Sequence, residues 1–138
     1  MILRGTFGNS GTGVSMLFDT DVLIWALRGH LKAARVIDVQ PVRQVSVLSH
    51  MELLRGARDQ REKATIHRFL LDFEAVPLSA EIGYRARLYL EERGPRSTLG
   101  VVDALVAATA VETQSALCTA NAKHYRIIKD LDLRLFRP

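Results

Sequence analysis

The stretch Met16-Leu17-Phe18-Asp19-Thr20-Asp21-Val22-Leu23-Ile24-Trp25-Ala26-Leu27 decides how the rest of the chain is read. Three apolar residues end at an acid. Beyond it Val22, Leu23, Trp25, Ala26 and Leu27 recur at helical spacing until Gly29 stops the run. A short apolar strand feeding straight into a helix is the unit of a parallel sheet, whose strands are buried on both faces and return through a crossover. The same alternation continues downstream. Residues 44–48 read as a Val-rich strand and a helix from Ser49 carries Met51, Leu53 and Leu54, while 62–73 has helical spacing through Ile66, Phe69 and Leu70. Glu74-Ala75-Val76 is a strand stopped by Pro77, and an amphipathic helix behind Ser79 covers 81–92 before Gly94-Pro95. The nearly apolar segment 99–112 predicts a helix packed inside the domain, 115–119 a buried strand, 121–129 a loop with a short helix, and 131–136 a final strand. Together these predict an α/β domain around a mainly parallel central sheet.

The size and composition agree with one such domain. The chain has 138 residues, 48% hydrophobic and 25% charged, which suffices for a continuous core. The longest apolar run, 22–27, is far short of the roughly 18–20 residues that cross a bilayer, so no membrane span is expected. The net charge of +4 permits attraction to a polyanion without requiring it. A single cysteine, Cys118, can form no internal disulfide, and the expected compartment is the cytoplasm. Residues 1–15 are rich in Gly, Ser and Thr and lack periodicity; they read as a flexible leader, an upstream start or a cloning extension, with the domain itself at 16–138. Gly8 and Gly13 have the spacing of a phosphate loop, but the Lys such a loop needs is missing.

Function is carried by acids that the pattern points inward. Asp19 falls at the carboxyl end of a parallel strand, where open α/β sheets carry their sites, although it also suits a helix N-cap. Glu52 borders the apolar stripe of its helix, with an exposed pairing to Arg55 as the plainer reading. Asp103 shares a face with Leu99, Val106, Ala107 and Ala110, and no basic residue lies within one turn of it. It is expected to be a lone core-facing carboxylate, which must be paired, protonated or bound to a cation, unless it merely caps its helix. These acids come from three separate elements and can meet only at one end of the sheet. Carboxylates without a His or Cys cluster suit Mg²⁺ or Mn²⁺, and His30, His50, His67 and His124 have no zinc-like spacing. Such an ion polarises a phosphate and activates a water for phosphodiester hydrolysis.

Phe18-Asp19-Thr20-Asp21-Val22-Leu23-Ile24, Ser49-x-x-Glu52-Leu53-x-x-Gly56, Asp103-Ala104-Leu105-Val106-Ala107-Ala108-Thr109-Ala110 and Thr119-x-Asn121-x-x-His124-Tyr125 resemble, in order, the motifs of PIN-domain ribonucleases. In size the chain resembles a VapC-type toxin of a type II toxin–antitoxin pair, and the match covers 16–136. The resemblance implies a three-layer α/β/α sandwich, an acidic cluster binding Mg²⁺ or Mn²⁺, and endonucleolytic cleavage of RNA. It casts Asp19, Glu52 and Asp103 as the principal acids, with Asp19 and Asp103 the main metal ligands. Glu52 either ligates through water or orients the nucleophile, and Asn121 completes the ring where many relatives carry Asp. His124 stands where an acid often follows. Thr20 and Thr119 resemble hydroxyl positions near the site. Arg28, Arg55, Lys123 and Arg126 flank the motifs and are candidates to hold phosphates. Water attack implies 5′-phosphate and 3′-hydroxyl ends. The resemblance further implies a homodimer and a VapB-type antitoxin whose tail occupies the active-site groove. Trp25, Leu27, Phe69 and Tyr89 are candidates for either surface or core.

Two other readings compete. Asp19-x-Asp21 also resembles the start of haloacid-dehalogenase-type phosphotransferases, with Asp19 as nucleophile and Asp21 as acid/base. A PIN-like module that binds RNA or protein without catalysis is the other, since fold alone never fixes function.

Overall fold

A computed structural model describes residues 15–138, and the leader reading therefore falls, Ser15 apart, outside the described residues. Within them five parallel strands, β1 (Met16–Phe18), β2 (Arg43–Ser46), β3 (Glu74–Val76), β4 (Ala116–Thr119) and β5 (Leu133–Leu135), form one sheet in the order β3-β2-β1-β4-β5. Ser15 already touches that sheet, its carbonyl accepting from the Ala116 N–H at 3.0 Å. The helices are α1 (Thr20–Leu27), α2 (Leu31–Asp38), α3 (Val47–Gly56), α4 (Gln60–Phe69), α5 (Ala80–Glu92), α6 (Val101–Glu112) and α7 (Ala122–Tyr125).

The layers follow from the period of two along each strand. Met16 and Phe18 point to one face, with Val22, Leu23, Ala33, Ile37, Leu53 and Ile66 of α1–α4 packed over them. Leu17 points to the other, under Ile82, Ala86, Tyr89, Ala104, Val106 and Tyr125 of α5–α7. The central strands are thus buried on both sides, which is why β1 and β4 read as unbroken apolar runs. The expected three-layer α/β/α sandwich with a parallel sheet is the architecture found. Among the described residues no helix is long and apolar enough to cross a membrane.

Several boundaries differ from the sequence reading. The second strand ends at Ser46 rather than at position 48, because the Ser46 hydroxyl accepts from the Leu48 N–H at 3.1 Å and starts α3 at Val47. The helical stretch 62–73 is α4 followed by a tighter 3₁₀ turn, Leu70–Asp72. Helix α2 went unread; His30 caps it, its Nδ1 accepting from the Ala33 N–H at 3.3 Å. Gly29, at φ +86°, makes the turn into it, a backbone conformation that side-chain-bearing residues rarely adopt. Of the apolar side chains left between surface and core, Tyr89 is buried, while Trp25, Leu27 and Phe69 are partly buried against the α1–α4 core.

Candidate active site

The strand order reverses direction at β1, so a crevice opens at the carboxyl ends of β1 and β4. Asp19 follows β1 directly and has two jobs. Its Oδ1 accepts from the Thr20 N–H at 2.9 Å, which caps α1, and its Oδ2 accepts from the hydroxyls of Thr119 and Tyr125, both at 2.8 Å. Cap and site were alternatives in the sequence; the two oxygens of one carboxylate serve both.

Thr119, the last residue of β4, is fully buried, and its hydroxyl lies 3.4 Å from Asp21 Oδ2 as well as on Asp19. Asp21 Oδ2 also accepts from the Ala120 N–H at 3.0 Å and the Asn121 side-chain amide at 3.2 Å. Tyr125 makes the corresponding link on the other side. From Asp19 its hydroxyl reaches to 3.4 Å from Asp103 Oδ1, which α6 brings in from its first turn. Glu52 arrives from α3, tied through the Thr20 hydroxyl, which donates to its Oε1 at 2.7 Å and lies 2.9 Å from Ser49 Oγ. The residues singled out in the sequence therefore gather at one end of the sheet. Glu52 sits at the edge, joined to the others only through Thr20. Asn121 is exposed and presents its amide to Asp21.

Asp103 departs from its expectation. It is not a lone core carboxylate: its side chain is 30% exposed, and Oδ2 lies 3.1 Å from His124 Nδ1, a partner contributed by α7. The same oxygen is 3.4 Å from the Gly100 N–H, a capping-box contact that opens α6. The other sequence miss is Asp21, given a role there only in the dehalogenase-type reading. In a helix a residue two places on faces away, but Asp19 precedes α1 in extended backbone, so both side chains reach β4. Tyr125 was quoted in a motif and given no role; its place beside Asp19, 106 residues away in sequence, had no local signal.

Burial pushes the Asp19 carboxyl above its ordinary range, opposed by the donors Tyr125, Thr119 and Thr20 and reinforced by the charge of Asp103. Asp21 is pushed up to about 6 by burial and then by the charge of Asp19. Burial and the same carboxylates raise Tyr125 as well, so its phenol stays protonated and donates. Cys118 lies beneath them with its thiol pushed up to about 12, chiefly by burial, and is no nucleophile.

Among the described residues no Lys or Arg pairs with Asp19, Asp21, Glu52 or Asp103. The flanking Arg28, Arg55, Lys123 and Arg126 are exposed. Nor do any three Asp, Glu, His or Cys side chains among those residues close into a finished metal cage. What the site offers is carboxylate oxygen at high density and short of countercharge, with Asp19 and Asp21 driven toward protonation. That donor chemistry fits a hard divalent cation which keeps part of its water shell.

The model of the PIN domain matches residues 16–130. The ribonuclease VapC10 of Mycobacterium tuberculosis is 34% identical over 121 residues, 84% of this chain and 90% of the relative. Among solved structures, a toxin–antitoxin complex from Klebsiella pneumoniae superposes with a TM-score of 0.74 at 27% identity, over 85% of this chain and 95% of that one. VapBC2 from Rickettsia felis, bound to a DNA fragment from its promoter, gives a TM-score of 0.75 at 20% identity over 88% and 98%, a likeness of fold. The dehalogenase-type reading of Asp19-x-Asp21 finds no support in these likenesses. With a family model spanning nearly the whole domain and a relative this similar along most of its length, the chain belongs to the PIN-domain family, on the branch of the VapC ribonucleases.

Proposed function

We propose that the chain is a metal-dependent endoribonuclease and the toxin of a toxin–antitoxin pair, acting in the cytoplasm. The observation that carries this reading is the gathering of Asp19, Asp21 and Asp103 at the carboxyl ends of β1 and β4, linked by the hydroxyls of Thr119 and Tyr125, with Glu52 beside them through Thr20. Asp19 and Asp103 hold the divalent ion, Mg²⁺ or Mn²⁺. Glu52 binds through water or orients the attacking water, and Asn121 and Asp21 form the outer ring. The bound ion supplies Lewis acidity toward the scissile phosphate and lowers the pKa of a water. Thr119 and Tyr125 hold the Asp19 carboxylate in one orientation by both donating to Oδ2, so the remaining acceptor capacity lies on Oδ1, which takes one bond from the Thr20 N–H. Arg28, Arg55, Lys123 and Arg126 hold the RNA backbone as exposed cations, which position a strand without reading its bases.

Beside Glu52 runs a groove of about 590 Å³ lined by apolar Ile24, Leu27, Leu53 and Ile66 and by charged Arg28 and Arg58. We assign it to the tail of a VapB-type antitoxin, whose apolar face would lie on α1, α3 and α4 with its charges at the rim. A homodimer is part of the same reading. Attack by water predicts 5′-phosphate and 3′-hydroxyl products. Ligation and phosphatase sensitivity of the cleaved ends test it: 3′-phosphate or cyclic phosphate ends would contradict water attack. Metal binding with no cleavage of any RNA would favour the non-catalytic module.

A further inference from the structure

The loop between α5 and α6, residues 93–100, carries Arg93 and Arg96 and no acid. It is held in one shape from within. The Ser97 N–H donates to the Gly94 carbonyl at 3.1 Å, the Leu99 N–H donates to Ser97 Oγ at 3.1 Å, and the Leu99 side chain is fully buried. Arg93 closes the loop, its Nη1 donating to the Leu99 carbonyl at 3.1 Å. Among the described residues it is the one Arg or Lys that a backbone carbonyl holds and that has no carboxylate within ion-pair distance. Arg93 is exposed, and the N–H groups not spent on Leu99 remain open to a ligand.

The Leu99 carbonyl and the Gly100 N–H are opposite edges of one trans peptide, and Gly100 N lies 3.4 Å from Asp103 Oδ2. The guanidinium nitrogen is therefore within about 9 Å of that carboxylate oxygen. This is on the order of one nucleotide step from a phosphate held at Asp103. The carbonyl keeps the cation off the carboxylate, which stays available to the site. The first turn of α6 adds an apolar ledge next to Asp103. Val101 and Val102 are 64% and 39% exposed there, although Ala104 and residues 106–110 of the same helix are buried. A phosphate-binding cation beside an apolar ledge suits a single strand, whose bases are splayed out, and not a duplex, whose base faces are stacked.

We propose that Arg93 binds the phosphate adjoining the scissile one in a single-stranded RNA, and that Val101 and Val102 lie against the neighbouring base. The inference rests on the endoribonuclease reading above and adds to it the form of the substrate and a contact outside the acidic motifs. A guanidinium already held in place loses less freedom on binding than a mobile one, and it can take a phosphate through two N–H groups. Because that phosphate does not react, Arg93 acts on binding of the strand and not on the chemical step.

The experiment measures binding of a fluorescent single-stranded RNA of mixed sequence to the full chain in Ca²⁺ across a range of salt, together with kcat and KM for its cleavage in Mg²⁺. Arg93→Ala and Arg93→Gln, each shown folded by circular dichroism, are expected to bind about fivefold more weakly. Both are expected to reduce the slope of log affinity against log salt by about 0.7, the share of one phosphate contact on a single strand. Gln keeps a donor for the Leu99 carbonyl without the charge, so it separates the phosphate contact from bracing of the loop. Arg93→Lys is expected to keep the slope. In the Ala and Gln variants KM is expected to rise while kcat is nearly unchanged, and a duplex of the same sequence is expected to compete poorly in the wild type. The double variant Val101→Ser, Val102→Ser is expected to bind the single strand several-fold more weakly at an unchanged slope; full affinity there overturns the base contact. An unchanged slope and KM in folded Arg93→Ala and Arg93→Gln overturn the phosphate contact and leave the endoribonuclease reading standing. A fall in kcat alone does the same, by making Arg93 a support for Asp103. A duplex that competes as well as the single strand overturns the single-stranded assignment. Folded wild type that neither binds nor cuts RNA overturns both this inference and the reading beneath it.

Discussion

Asp21 carries its proton to about 6 in the folded chain against an ordinary 3.8, because burial and the charge of Asp19 disfavour its anion. The folded state thus binds more protons than the unfolded one between those values. The stabilisation this gives is complete below the lower value and is lost as pH rises through the upper one. Asp21→Asn removes that titration. In metal-free protein the variant is expected to be more stable at neutral pH by about 1–2 kcal/mol, the full shift being discounted for the exposed part of the carboxyl. Denaturant unfolding in EDTA at several pH values checks this, and equal slopes for wild type and variant across the acid range would refute it. Tyr125 poses the opposite case. It is buried, and its hydroxyl donates to Asp19 Oδ2. Tyr125→Phe is expected to cost about 1 kcal/mol and to raise Asp19 further by removing its strongest hydrogen-bond donor. A shift of the Asp19 carboxyl resonance titration to higher pH by NMR is the check; an unmoved titration would deny the phenol that role.

Helix α6 shows why an element can be legible while its chemistry is not. Its Ala104, Ala107, Ala108 and Ala110 are fully buried, and this run of small residues lets α6 lie close to α5 and the sheet. Ala107→Leu is therefore expected to lose about 1–3 kcal/mol by overpacking, seen as a lower Tm; an unchanged Tm would mean that slack exists beside α6. The apolar run of α6 and the strands β1 and β4 were readable because burial leaves a compositional mark, whereas the exposed β3 was readable only because Pro77 stops it. The partner of Asp103 was not, since His124 is brought to it by β4 and α7, and no local pattern encodes a contact 21 residues away. Helix α2 was missed for a different reason: at Leu31–Asp38 it spans only about two turns, so a clear apolar spacing rests on very few residues, of which Ala33 and Ile37 are buried and Leu31 is exposed. The ending of β2 turned on one hydroxyl, where Ser46 captures the Leu48 N–H and overrides the strand preference of Val47.

At the scale of the molecule, the parallel order β3-β2-β1-β4-β5 brings acids from distant parts of the chain to one crevice. Gathering them has an electrostatic cost, seen in the raised Asp19 and Asp21 carboxyls, which the proposed divalent ion would offset by binding the folded state. Mn²⁺ is accordingly expected to raise the Tm of the wild type, increasingly with the logarithm of its free concentration above the Kd, and to do so far less in Asp19→Asn; equal rises would place the ion elsewhere. The central claim is that this crevice cuts RNA. The most direct measurement is cleavage of a mixed RNA substrate by antitoxin-free protein in Mg²⁺ or Mn²⁺ and in EDTA, comparing the wild type with folded Asp19→Asn and Asp103→Asn. The account predicts metal-dependent cutting that falls at least about a hundredfold in either variant, in keeping with the loss of a group that stabilises the transition state electrostatically. Cutting that persists in EDTA, or in both variants, would contradict it.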